Sequence, residues 1–135
     1  MRNQWSTSWI SSKQPRKQRK YRFNAPLHVR RKFVSAHLSE ALRKRFNRRA
    51  VPLRKGDEVQ VMVGDKKGLK GIVERIDLKK CKIYVENIKV KKVNGTEILM
   101  PLEPSNLLIV NLVLEDKFRK KVLEKKMAKP SQEAK

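Results

Sequence analysis

Val59, Val61 and Val63 alternate with Glu58, Gln60 and Met62, the period-two pattern of a strand that buries one face. Gly64-Asp65-Lys66-Lys67-Gly68 then turns the chain, and a second apolar stretch follows with Gly71 inside it. A glycine within a strand marks a bulge or the close approach of another backbone. Cys81, Ile83 and Val85 alternate with Lys82, Tyr84 and Glu86 as a third strand, and Ile88 and Val90 with Lys89 and Lys91 as a fourth. Asn94-Gly95 between β-prone stretches is a strong hairpin signal. Ile98–Met100 follows, then an irregular stretch with Pro101 and Pro104, then Leu107-Leu108-Ile109-Val110 as a buried closing strand. Cys81, Ile83, Val85, Leu108 and Val110 are expected to face the core. Five or six short strands on tight turns predict a small closed barrel, which leaves no exposed edge.

Two helical patterns flank these strands. Ser39 is placed to cap a helix from Glu40 to Phe46, with Arg43, Lys44 and Arg45 in its last turn. Leu38, Leu42 and Phe46, spaced by four, give it one apolar stripe. Asp116 opens the second pattern, with Phe118, Val122 and Leu123 on one side. Lys117, Arg119, Lys120, Lys121, Lys125 and Lys126 fall elsewhere on it, and from about Ala128 the tail is polar. Residues 1–22 are polar and basic, with too little apolar surface to fold alone, and are expected to run extended. Asn24-Ala25-Pro26 favours an extended or turning backbone. The organisation expected is a basic extended arm (1–38), a short helix and link (39–53), the barrel (54–114), and a basic C-terminal helix and tail (115–135).

Charge sharpens this picture. The 135 residues carry a net charge of +22, and 36% are charged, against about a quarter in ordinary domains. Residues 1–55 hold 17 Lys and Arg against one acid, Glu40, and so carry +16; the remainder carries +6. A chain this basic has a polyanion as its natural partner. Residues 1–39 contain no acid and are rich in Ser and Arg, a composition that imitates a transit peptide, but here it reads as a nucleic-acid-binding arm. The single cysteine, Cys81, excludes a disulfide framework and fits a reducing compartment. No apolar run approaches the roughly 18 to 20 residues of a membrane span, so no membrane partner is expected.

The phosphate-binding candidates follow from position. In the arm they are Arg16, Lys17, Arg19, Lys20, Arg22, Arg30, Arg31 and Lys32; on the approach to the barrel they are Arg48, Arg49, Arg54 and Lys55. Lys66, Lys67 and Lys70 put charge on the bend, where Gly68 and Gly71 supply backbone conformation or clearance. Trp5, Trp9, Tyr21 and Phe23 are candidates for stacking on unpaired bases, with docking of Tyr21 and Phe23 on the barrel as the alternative. His28 and His37 lack a Cys or carboxylate at ligand spacing and are expected to hydrogen-bond to backbone or phosphate, so no metal is expected. Asp57 and Glu58 point to opposite faces of a strand and cannot act as a catalytic pair; Asp57 is expected to brace the turn with Gly56. No nucleophile triad, P-loop or dinucleotide signature occurs, so no catalytic residue, cofactor or small-molecule substrate is expected.

Arg54–Ile76 resembles the KOW motif of ribosomal proteins and transcription factors, in which a Gly-Asp strand, a Lys/Gly-rich bend and a Gly-Ile return strand follow one another. Further stretches resemble the family of ribosomal protein L twenty-four in its archaeal form, L twenty-six in eukaryotes. They are Pro15–Lys20, Asn24–Lys32, Ser35–Ser39, Pro52–Asp57, Asn94–Glu97 and Pro104–Asn106. The resemblance runs from about residue 13 to 127; residues 1–12 depart from it, as does Glu103, where the family often has His. It implies a mainly β fold, an SH3-like barrel with a basic arm, one short N-terminal helix and a C-terminal helix. It also implies a cytoplasmic, non-enzymatic protein of the large ribosomal subunit. Such a protein binds the 5′ region of the large rRNA early in assembly, touches neighbouring ribosomal proteins, and sits near the exit of the nascent-chain tunnel. The alternative is a KOW-bearing transcription elongation factor; such factors usually carry a separate polymerase-clamping domain, for which 135 residues leave no room.

Overall fold

The computed structural model describes residues 5–6 and 12–125. In chain order the strands are β1 (Ser35–Leu38), β2 (Ala50–Pro52), β3 (Glu58–Val61), β4 (Lys70–Asp77), β5 (Lys82–Val85), β6 (Lys89–Lys91), β7 (Glu97–Leu99) and β8 (Leu107–Asn111). The helices are α1 (Pro15–Asn24), α2 (Leu27–Phe33), α3 (Glu40–Phe46) and α4 (Lys117–Glu124). Six strands form one sheet in the order β2-β1-β8-β3-β4-β5, and β6 and β7 form a separate hairpin around Asn94-Gly95. Eight strands thus stand among the described residues where five or six were expected. The additional ones include β1 and β2, which at four and three residues are too short to announce a period.

β1 corrects the reading of residues 1–38 as an extended arm. It lies inside the main sheet, antiparallel to β2 and parallel to β8, with His37 opposite Leu108. Of the described residues before it, Pro15–Asn24 and Leu27–Phe33 are helical. Pro15 opens α1 at a position that needs no N–H, and Lys, Arg and Gln are good helix formers whatever their charge. Ala25, ahead of Pro26, is extended (φ −61°, ψ 135°) and ends α1, as expected for a residue before proline. Tyr21, Ala25 and Val29 then form a small cluster with Trp5 and Phe33. That cluster holds a helix pair too polar to persist alone.

The main core lies under the sheet and includes Leu38, Phe46, Val59, Val61, Val73, Ile83, Val85, Leu107, Ile109 and Leu123. Three register expectations change. Leu107 and Ile109 are fully buried, whereas Leu108 and Val110 are half-buried, because four consecutive apolar residues carry no alternation to choose a face. Cys81 sits in the β4–β5 turn at φ +54°, outside the strand, and is only partly buried. Val63 follows the end of β3 and is exposed. Ser39 occupies the N-cap of α3 without a side-chain cap bond.

The hydrogen-bonded ladder does not return to its start, so β2 and β5 are its ends. Between β5 and β8 one isolated bridge joins the chain to the sheet: Ile83 and Leu102 exchange hydrogen bonds of 2.9 and 2.8 Å. Pro101 and Pro104 bracket that bridge, and without an N–H neither can extend it.

Candidate nucleic-acid interface

The bend between β3 and β4 is built by its backbone. Gly64 and Gly68 adopt φ +96° and +88°, a region that L-residues rarely enter. The Gly68 N–H donates to Val61 O at 2.8 Å and Val61 N–H to Leu69 O at 2.9 Å, which closes the loop. Gly71 serves a different purpose: a Cβ there would stand 2.6 Å from the Glu86 carbonyl oxygen and 2.7 Å from Val85 Cγ1. Lys67 and Lys70 are exposed on this frame and Lys66 is half-buried. Lys66 also lines a shallow groove with Lys89 and Lys91 of β6.

A second basic surface belongs to α1. Arg16, Lys17, Arg19, Lys20 and Arg22 are all exposed, and none takes part in an ion pair among the described residues. Lys79 and Lys80, which sequence reasoning passed over, face the same cleft as Arg19 and Arg22. Asp77 Oδ1 accepts from the Lys79 and Lys80 N–H groups at 2.9 and 3.0 Å and fixes their turn. The Lys80 N–H, helped by that of Lys79, holds the Asp77 carboxyl below its ordinary 3.8. An acid two and three residues ahead of the lysines was the available signal.

Three candidate arginines have work inside the protein. The Arg30 guanidinium donates to Ala25 O at 2.9 Å and to Phe23 O, satisfying carbonyls at the end of α1. Arg48 donates to Val122 O of α4 at 2.5 Å. Arg54 pairs with Asp116, whose other oxygen accepts from Phe118 N–H at 2.8 Å and caps α4. The Arg54 hydrogen bond, then that of Phe118, depresses the Asp116 carboxyl below 3.8. Arg31, Lys32, Arg49 and Lys55 remain exposed.

α4 is attached through a buried ion pair. Asp57, fully buried, accepts two 2.6 Å bonds from Arg119 and further bonds from the backbone N–H groups of Arg54 and Val113. Asp57 therefore braces the turn, as expected, and also anchors a helix whose Arg119 the sequence pattern leaves off the apolar side. Glu103 pairs with Lys82.

The stacking candidates are corrected in part. Tyr21 is buried, with the Trp5 ring 5.2 Å and the Phe33 ring 6.0 Å from its own, so it is not open to a base. Trp5 packs on Tyr21, and Trp9 lies outside the described residues. Phe23 did not dock on the sheet and is exposed. Arg75 lies 4.3 Å over the Tyr84 ring. His28 is exposed, and Nδ1 of His37 is buried without a hydrogen-bond partner. Among the described residues no cluster of His, Cys, Asp or Glu could hold a metal, and no helix is long and apolar enough to cross a membrane.

The frame and its cations have close relatives. The large ribosomal subunit protein uL24 of Methanothrix thermoacetophila is 48% identical over 114 residues, covering 84% of this chain and 98% of that protein. The uL24 protein of Methanosphaera stadtmanae is 44% identical over 116 residues, 86% of this chain and 99% of the other. That of Korarchaeum cryptofilum is 45% identical over 120 residues, 89% and 92% of the two chains. Residues 12–126 match the family of eukaryotic ribosomal proteins L twenty-six and archaeal ribosomal proteins L twenty-four, and the chain belongs to it.

Proposed function

We propose that the chain binds the 5′ region of the large-subunit rRNA, helps to start assembly of that subunit, and lies near the exit of the nascent-chain tunnel beside other ribosomal proteins. As a member of its family it is a structural protein of the large subunit of the cytoplasmic ribosome and not an enzyme. The sheet and its hairpin are read as an SH3-like KOW barrel that closes through the Ile83–Leu102 bridge rather than through a full ladder. Phosphates are taken by Arg16, Lys17, Arg19, Lys20 and Arg22 of α1, by Arg31, Lys32, Arg49 and Lys55, and by Lys66, Lys67 and Lys70 on the bend. Arg30 instead satisfies carbonyls at the end of α1, and Arg48 and Arg54 hold α4. The observation that carries this reading is the row of exposed cations on α1, none of them in an ion pair among the described residues, in a protein whose net charge is +22. Charge of that density releases counterions when it meets a phosphate backbone. Sedimentation tests it: a tagged chain expressed in cells should travel with large subunits. Recovery only in the free fraction would contradict it.

A further inference from the structure

α1, the β4–β5 turn and the stretch around Pro104 enclose a cleft of about 330 Å³, within the range of ligand sites. Its walls differ in chemistry. Phe23, in the last turn of α1, leaves 71% of its surface in water. Beside it the Arg22 guanidinium lies 5.6 Å over the Phe33 ring, which holds a planar cation in place. Arg19, Lys79 and Lys80 supply exposed positive charge, and the Asp77 bonds fix the turn that presents the two lysines. Glu103 is the one acid in the lining, and Lys82 neutralises it. A bare aromatic face next to three exposed cations suits a group that is flat and apolar at one end and anionic at the other.

We propose that this cleft takes one unpaired nucleotide of an RNA strand, its base stacked on Phe23 and its flanking phosphates held by Arg19, Lys79 and Lys80. The site rests on reading the chain as an RNA binder and adds to it a preference for a loop or bulge. Bases inside an A-form duplex are stacked on one another and cannot reach an exposed ring, whereas splayed-out bases can. The cleft shares no lining residue with the bend between β3 and β4, so the two contacts are independently testable.

The full chain is titrated with two RNAs of equal length, a blunt duplex and a hairpin whose unpaired loop carries a fluorescent aminopurine. Phe23→Ala should weaken binding of the hairpin by roughly five- to 150-fold, the worth of one stacked base, and leave the duplex unaffected. Phe23→Trp should retain both affinities and the quenching of the aminopurine. Lys79→Ala should weaken both RNAs and lower the salt slope by about 0.7 to 0.9. Hairpin binding unchanged in Phe23→Ala, or weakened equally on the duplex, overturns the site and would leave the exposed ring to a protein partner. Failure of the wild-type chain to bind either RNA would instead overturn the RNA-binding reading itself. Circular dichroism checks the fold of each variant, and the exposure of Phe23 predicts that it is kept.

Discussion

The guanidinium of Arg119 and the carboxylate of Asp57 meet face to face inside the protein, through two hydrogen bonds of 2.6 Å. The pair joins α4 to the turn that opens β3, and the remaining bonds of both groups go to backbone: Arg119 to Val113 O and Pro52 O, Asp57 to the N–H groups of Arg54 and Val113. Removing one partner leaves a buried charge uncompensated, which costs about 3 to 5 kcal/mol. Arg119→Met should therefore lower the unfolding free energy measured by urea titration by about 3 to 5 kcal/mol. Asp57→Ala should do at least as much, since it also strands two amides. A loss under about 1 kcal/mol in both would show that the pair does not hold α4.

The bend separates two uses of glycine. Gly71→Ala pushes a methyl group against the Glu86 carbonyl, a backbone atom that can yield only if β4 and β5 part. Gly68→Ala meets no neighbour within 4 Å and is penalised only for its φ of +88°. Denaturant titration should rank Gly71→Ala as the more damaging, with Gly68→Ala costing about 1 kcal/mol or more. Lys67→Ala should leave stability unchanged and weaken RNA binding. The reverse ranking of the two glycines would mean that the close approach at Gly71 is not a constraint.

Core register can be checked by truncation. Leu107→Ala and Ile83→Ala remove side chains with no exposure and should each cost about 2 to 5 kcal/mol. Leu108→Ala, at a half-buried position, should cost clearly less. Equal losses at Leu107 and Leu108 would contradict the inward face of β8.

The capping of α4 carries a pH signature. Asp116 has a carboxyl depressed by Arg54 and by the Phe118 N–H, so its ionised form favours the folded state. That contribution is present above the ordinary value of 3.8 and is lost as the pH falls through the lower value of the folded chain. Amide exchange or carbon chemical shifts should show the first turn of α4 loosening over that interval, and Asp116→Asn should remove the dependence. A turn equally ordered on both sides of the interval would contradict the cap.

What could be read from residues alone follows a physical division. The alternation at Val59 and Val61, the Asn94-Gly95 turn, α3 and the clearance at Gly71 are local patterns, and each was legible. α1 was missed because a run of Lys, Arg and Gln reads as a solvated arm, although those residues favour helix and Tyr21 supplies the anchor. The role of Arg119 was out of reach because its partner lies 62 residues away. The face of β8 was assigned to Leu108 and Val110 and belongs to Leu107 and Ile109, because four consecutive apolar residues carry no alternation. Of the site, the exposed cations of α1 and the bend were visible as charge density. Lys79 and Lys80 were not, since only the fold brings them to Arg19.

Whether α1 and the bend bind rRNA phosphates is tested most directly by the salt dependence of binding. Affinity of the full chain for a transcript of the 5′ region of large-subunit rRNA is measured across salt concentrations, beside a variant with Arg16, Lys17, Arg19 and Lys20 changed to Gln. The substitutions keep helix-forming residues on an exposed face, so the fold is retained. The log–log slope should fall by about 0.7 to 0.9 for each phosphate no longer neutralised, and the affinity with it. An unchanged slope in a folded variant would contradict the assignment of α1 to the rRNA backbone.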